Sequence, residues 1–86
     1  MTRELGLTAQ EFFMATQIVM DHTGDSRYPF DPHDADAVAK AERRFRRLTG
    51  AGFIAAERTS AGQSRRVSSF DPTAEETLFF PRLAGG

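Results

Sequence analysis

The chain contains no cysteine and no tryptophan, and only one of its 86 residues is a tyrosine. Without cysteine there is no disulfide framework, no thiolate nucleophile and no cysteine-based metal site, and a reducing compartment suits the chain. No stretch approaches the roughly 20 apolar residues that span a bilayer. No apolar run of the secretory type follows the N-terminal Met1. These absences predict a cytoplasmic protein with no membrane partner.

The composition is that of a small globular domain. Hydrophobic residues make up 40% of the chain and charged residues 27%, so we expect one domain with a single core over residues 1–86. The net charge of −1 conceals an asymmetry: −5 over residues 1–39, +6 over 40–66 and −2 over 67–86. The basic middle segment either presents a positive surface to an anionic partner or is neutralised by the acidic ends.

A first helix is predicted at about residues 8–23. Thr8 and Glu11 have the spacing of a capping box, and the flanking Leu7 and Phe12 have the spacing of a hydrophobic staple. Apolar residues then recur at helical spacing at Phe12, Phe13, Ala15, Ile18 and Val19. Gly24 is the expected left-handed cap at the end of this helix.

Two prolines and several turn-forming residues predict a loop over residues 24–33, with Tyr28 and Phe30 tucked beneath it. A second helix is predicted at about 32–49, because Asp31 can cap it and Pro32 suits its first position. Its apolar stripe comprises Ala35, Val38, Ala41, Phe45 and Leu48. The opposite face carries Asp36, Lys40, Arg43 and Arg47.

After the glycines that end this helix, the period changes to one typical of strands. A hairpin is predicted over 52–70 with Gly62 in its turn, a short strand over 77–80, and a mobile tail over 82–86. The expected fold is α+β: two N-terminal helices packed on a C-terminal antiparallel hairpin or meander of two to three strands. An aromatic patch forms if Phe70, Phe79 or Phe80 face outward.

Five arginines of the basic segment are the candidate binding residues for a protein partner or a nucleic acid: Arg43, Arg47, Arg58, Arg65 and Arg66. Arginines on a helix and a following hairpin are suited to contact a phosphate backbone. The alternative is a solvated helix face supported by i, i+4 pairs, Asp36 with Lys40 and Glu42 with Arg46. The sequence pI of about 6.1 favours this alternative, because nucleic-acid-binding domains commonly exceed 9.

The segment Leu48-Thr49-Gly50-Ala51-Gly52-Phe53-Ile54, followed by a hairpin with arginines near its tip, distantly resembles winged-helix regulators. That resemblance implies a DNA-binding function. It covers less than half of the chain, and residues 24–33 are too short and proline-broken for the further helix of a helix-turn-helix core. No DNA-contacting residue follows from it.

No motif predicts catalysis, a metal or a cofactor. The histidines and acidic residues around the loop at 24–33 match no metal-ligand spacing, and the aspartates already suit helix starts. No nucleophile elbow or phosphate loop is present. The terminal Gly85-Gly86 resembles the ends of ubiquitin-like modifiers and sulfur carriers, but those families open with a hairpin and this chain opens with a predicted helix.

The resulting hypothesis is a small non-enzymatic interaction module that binds a protein partner or a second copy of itself. Three surfaces are candidates for this contact: the sheet edge, the aromatic patch and the arginine face. Nucleic-acid binding through the basic segment is the first alternative, and a diglycine carrier is the second.

Overall fold

The computed structural model describes residues 14–58 and 62–82, which form a five-stranded mixed sheet with one helix on one face. The elements are β1 (Ala15–Asp21), β2 (Gly24–Phe30), α1 (Ala35–Gly50), β3 (Phe53–Arg58), β4 (Ser64–Val67) and β5 (Glu76–Pro81). The strand order is β2-β1-β5-β3-β4. The β1–β5 pair is parallel, and the other neighbouring pairs are antiparallel.

The predicted architecture of two N-terminal helices on a two- or three-stranded hairpin is therefore wrong, although the α+β class is retained. Strands occupy residues 15–21 and 24–30, where the sequence analysis predicted a helix and a loop. Residues 8–13 of the predicted first helix lie outside the described residues. The chain makes two strands before its described helix, and these strands enlarge the sheet to five.

The first of these strands, β1, lies inside the sheet and buries side chains on both faces. Ala15, Gln17 and Val19 are on the face of the sheet that packs on α1, whereas Ile18 is on the other face and is only 4% exposed. Such a strand has apolar residues at consecutive positions instead of a clean alternation. Its apolar pattern therefore matches a helical period, although Thr16, Ile18 and Val19 are β-branched residues that favour strands.

Its neighbour β2 is an edge strand, which explains its proline and its small apolar content. Only Phe30 is buried, and Pro29 is tolerated because one side of an edge strand has no ladder partner. In the turn before β2, the carboxylate of Asp21 accepts the backbone N–H of Thr23 at 2.9 Å. Gly24 follows with a φ of +122°, so it closes a hairpin and does not cap a helix.

The helix α1 begins at a different cap from the predicted Asp31-Pro32 pair. The carboxylate of Asp34 accepts the backbone N–H groups of Asp36 at 3.0 Å and Ala37 at 3.4 Å. Asp31 instead accepts the N–H of His33 at 2.9 Å in the preceding turn. Within residues 14–58 and 62–82, no helix is long and apolar enough to cross a membrane.

After α1, Gly52 adopts a φ of +101° and leads directly into β3. The antiparallel β3–β4 pair lies within the predicted hairpin, and Gly62 before β4 has a φ of +85°. Residues 59–61 of its turn, and 83–86 of the predicted tail, lie outside the described residues. The final strand, predicted as a short addition at 77–80, is β5 at the centre of the sheet.

Aromatic rings form the centre of the core between α1 and the sheet. The rings of Phe45 and Phe79 meet edge to face at 5.6 Å, and Phe70 packs against Phe45 at 5.9 Å and against Phe30 at 6.2 Å. Phe79 is 0% exposed and Phe70 is half-buried. Phe80 is half-buried on the other face of the sheet. Phe79 therefore belongs to the core and cannot contribute to the predicted aromatic patch.

Candidate anion-binding surface

Four cationic side chains lie along one flank of α1. Their spacing is i, i+3, i+4 and i+7, which places them on one arc of the helix, away from the core residues Ala41 and Phe45. None of the four forms an ion pair with a carboxylate in the described part of the chain. We call this set the basic stripe: Lys40, Arg43, Arg44 and Arg47.

Two contacts with the sheet hold Arg44 in place. Its Nη1 donates a hydrogen bond to Oε1 of Gln17 at 2.8 Å, and its guanidinium carbon lies 4.1 Å from the centre of the Tyr28 ring. Gln17 and Tyr28 are register partners on β1 and β2. Because an arginine side chain carries about 2 kcal/mol of rotamer entropy, these contacts restrict the orientations that the cation can adopt.

Gln17 is a polar side chain buried at the base of this contact. It is 0% exposed, and its Nε2 donates a hydrogen bond to the carbonyl oxygen of Ala41 at 2.9 Å. A buried amide must be hydrogen-bonded to offset its desolvation, and here one of the two bonds is to Arg44. Gln17 therefore connects the interior of the sheet to a cation at the surface.

A cleft of about 230 Å³ opens between β2 and α1 beside Arg44. Apolar walls and cationic groups both line it, a combination common in binding sites. Tyr28 is 39% exposed at this cleft, so the prediction that it tucks beneath a loop is wrong. The lining residues are Arg27, Tyr28, Pro29, Phe30, Ala37, Lys40 and Arg44.

The opposite flank of α1 faces the segment between β4 and β5, and its arginine, Arg46, forms an ion pair. Arg46 contacts Glu42 at 3.0 Å, as the i, i+4 spacing predicts. On the neighbouring strands, Arg65 of β4 lies 3.7 Å from Glu57 of β3. The other predicted i, i+4 pair, Asp36 with Lys40, is absent from the ion pairs of the described residues.

The structure does not bring the five predicted arginines together. Arg43 and Arg47 are both in the basic stripe. Arg58 pairs with a β5 carboxylate at 3.4 Å, on the sheet face away from α1. Arg65 and Arg66 are adjacent in β4 and therefore point to opposite faces of the sheet. A single contact surface over all five is excluded by this placement.

The predicted set omitted the residues around the cleft. The spacing of residues 40, 43, 44 and 47 was a usable signal for Lys40 and Arg44. Nothing local in the sequence connects Gln17 with Arg44, because 27 positions separate them. Tyr28 likewise meets Arg44 only through the tertiary fold.

Two carboxyls near β3 have pKa values shifted in opposite directions. Burial raises the pKa of Glu57 above 4.5, the neighbouring Asp71 raises it further, and Arg65 lowers it by less. Hydrogen bonds from the Thr73 hydroxyl at 2.6 Å and from its backbone N–H at 2.9 Å lower the pKa of Asp71 below 3.8. Neither carboxyl lines the cleft beside Arg44.

The histidines and aspartates around β2 do not converge: His22 and Asp25 lie near its start, and His33 lies in the turn after it. Asp34 caps α1 and Asp31 stabilises the turn before it. No group of three or more metal-ligating side chains that could hold an ion occurs among the residues that the structure describes. The hydrogen bonds of Asp31 and Asp34 give these two residues local structural roles.

Comparisons of the chain with protein-family models, with curated proteins and with solved structures found no match. No relative therefore supplies a function.

Proposed function

We propose that this chain is a small non-enzymatic interaction module that binds an acidic protein partner through the basic stripe. The observation that supports this proposal is the electrostatic setting of the stripe, whose four cations have no carboxylate partner within the described residues. In contrast, Arg46, Arg58 and Arg65 each have one. Three further described arginines, Arg27, Arg66 and Arg82, also lack a carboxylate partner, but only the stripe groups four such cations on one helix. Arginine and tyrosine are also the residue types enriched at protein interfaces.

The other two candidate surfaces have weaker support. Pro29 lies in the edge strand β2, and the edge strand β4 has only four residues, two of them Arg65 and Arg66. Prolines, charges and short length protect sheet edges against strand addition. The proposed aromatic patch lacks Phe79, which is in the core. The arginine face is therefore the best supported of the three surfaces.

The size of the stripe favours a protein partner over a nucleic acid. Lys40 and Arg47 are seven residues apart, so the stripe extends over about 10 Å along the helix axis. Asp34 and Asp36 lie at the N-terminal end of α1 and would repel a longer polyanion. The sequence pI of about 6.1 points the same way. The diglycine carrier hypothesis concerns residues outside the described ranges and stays a prediction.

The proposal is tested by fluorescence anisotropy with a labelled peptide rich in glutamate and aspartate. A single-stranded oligonucleotide of equal charge serves as the competing probe. We expect the peptide to bind at low salt, and the double variant Arg43→Gln with Arg47→Gln to weaken that binding at least about tenfold, because two stripe cations are lost.

The matched control is Arg46→Gln with Arg66→Gln, which changes the net charge by the same amount at two exposed arginines outside the stripe. This control should retain most of the peptide affinity. Equal losses in the two double variants would show a general charge effect and contradict the proposal. Preferential binding of the oligonucleotide would favour the nucleic-acid alternative.

A further inference from the structure

We propose that the cleft between β2 and α1 is a subsite for one apolar group that carries an oxyanion. In a protein partner, such a group is one side chain whose apolar body enters the cleft and whose acidic end meets Arg44. This inference rests on the proposed function, because it names the part of the acidic partner that the basic stripe recognises. The lining of the cleft combines cationic side chains with apolar walls.

Arg44 supplies the anion-binding end of the cleft. One of its five N–H donors is used by Gln17, and its guanidinium lies over the Tyr28 ring. Lys40, one turn earlier on α1, lines the same cleft and adds a second positive charge. A guanidinium held in one orientation is suited to bind a carboxylate or phosphoryl group through two parallel hydrogen bonds.

The other end of the cleft is apolar. Its walls are Pro29 and Phe30 of β2 and Ala37 of α1. The volume of about 230 Å³ is below the roughly 300 to 1,000 Å³ of pockets that bind drug-sized ligands. The cleft therefore has room for one side chain and not for a larger cofactor.

Gln17 has the role of a positioning residue for this subsite. An apolar side chain at this buried position would need no hydrogen-bond partner, whereas Gln17 requires two and uses one of them to hold Arg44. Satisfied buried polar contacts favour a single arrangement of the groups they join. The contact therefore explains a buried amide that the packing of the core does not require.

The test is an NMR titration of the isotope-labelled protein with 3-phenylpropionate as the probe. Propionate lacks the apolar body, 3-phenylpropanol lacks the charge, and phenyl phosphate replaces the carboxylate with a phosphoryl group. We expect 3-phenylpropionate to bind about tenfold more tightly than propionate and 3-phenylpropanol, with shifts confined to β2 and the middle of α1. Tighter binding of phenyl phosphate would support the subsite and identify its oxyanion as a phosphoryl group.

Arg44→Lys keeps the charge but loses the planar fork, so it should weaken binding of 3-phenylpropionate about tenfold. Arg46→Lys on the opposite flank is the matched control and should leave it unchanged. Equal affinity for propionate and 3-phenylpropionate, or equal effects of the two variants, would overturn the subsite. Binding of the acidic peptide without these probe effects would retain the proposed function alone. The reverse result would retain the subsite alone.

Discussion

The two flanks of α1 carry the same residue type in different electrostatic settings. Beside β2, Arg44 is held by Gln17 and Tyr28 and has no carboxylate partner in the described residues. Beside the segment between β4 and β5, Arg46 pairs with Glu42 of its own helix. Arg46 is therefore neutralised by its own helix, as the i, i+4 spacing predicts, whereas the contacts of Arg44 come from two strands that the local sequence does not reveal.

This difference separates a structural charge from one available for binding. An exposed i, i+4 pair such as Glu42 with Arg46 contributes about 0.3 to 0.5 kcal/mol to stability and requires nothing from the sheet. Holding Arg44 requires a fully buried amide on β1 and an exposed aromatic ring on β2. The cleft flank thus uses core positions to fix a surface cation, whereas the paired flank uses only its own helix.

The largest expected effect comes from removing the core that supports both flanks. Phe45→Ala deletes a ring that packs against Phe79 and Phe70, and we expect a loss of about 3 to 5 kcal/mol in the free energy of unfolding. Urea unfolding measures this loss. Leu48→Ala, at a half-buried position on the same helix, is the control and should cost about half as much. Equal losses in the two variants would mean that the aromatic contacts of Phe45 add nothing beyond ordinary apolar burial.

A smaller effect on stability, with a clear effect on binding, is expected for Gln17→Met. Gln17 makes two hydrogen bonds, each contributing about 0.5 to 1.5 kcal/mol net, and the methionine regains apolar contacts, so the free energy of unfolding should fall by no more than about 2 kcal/mol. Affinity for the acidic peptide should fall several-fold, because Arg44 loses its orientation. Urea unfolding and peptide anisotropy measure the two effects.

The control for this variant is Thr77→Val, which removes another buried polar group at the register partner of Gln17 on β5. Its hydroxyl has no contact with Arg44 among the described hydrogen bonds, so peptide affinity should stay unchanged. If Gln17→Met instead lowered stability strongly and left binding unchanged, Gln17 would serve only the core.

The smallest effect on stability is expected at Glu57, the partner of Arg65. Because its pKa is raised above 4.5, the folded state binds this proton more tightly than the unfolded chain, and deprotonation destabilises the fold as the pH rises. Glu57→Gln should therefore raise the free energy of unfolding at pH 7. The gain should disappear below pH 4.5, where the carboxyl is protonated in both states. Thermal unfolding at several pH values measures it.

Asp71→Asn is the control of opposite sign. Hydrogen bonds from Thr73 lower the pKa of Asp71, so its carboxylate contributes stability above pH 3.8 that is lost as the pH falls through the folded-state pKa. The asparagine variant should be less stable than the wild type at pH 7 and approach it in acid. A gain at neutral pH in both variants would contradict this assignment of the two carboxyls.

Much of the second half of the fold was predictable from the sequence. The apolar stripe and glycine stop indicated the helix, because a surface helix shows its period directly. The spacing of strand residues around Gly62 indicated the β3–β4 pair. The helix cap was misplaced because Asp31 and Asp34 both suit a helix start, and only the turn geometry selected Asp34.

The residues before α1 were mispredicted because one of their strands, β1, lies inside the sheet and the other, β2, lies at its edge. Ile18 and Val19 of β1 are apolar neighbours on opposite faces of an interior strand, which matches a helical period. In contrast, β2 exposes nearly all of its residues, and Pro29 looks like a loop signal until the strand is known to be an edge. Both errors have one cause: whether a strand is interior or an edge depends on partners distant in the sequence.

The sequence by itself determined the amphipathic helix, the concentration of positive charge in residues 40–66 and the lack of cysteine chemistry. These features depend on composition and on spacings of a few residues. The i, i+4 spacing indicated the Glu42–Arg46 pair, but only the tertiary structure decided that Arg44 contacts Gln17 of β1 and that Arg65 pairs with Glu57 of β3. It also placed β5 between β1 and β3. Register across a sheet joins residues dozens of positions apart, and no local pattern encodes that contact.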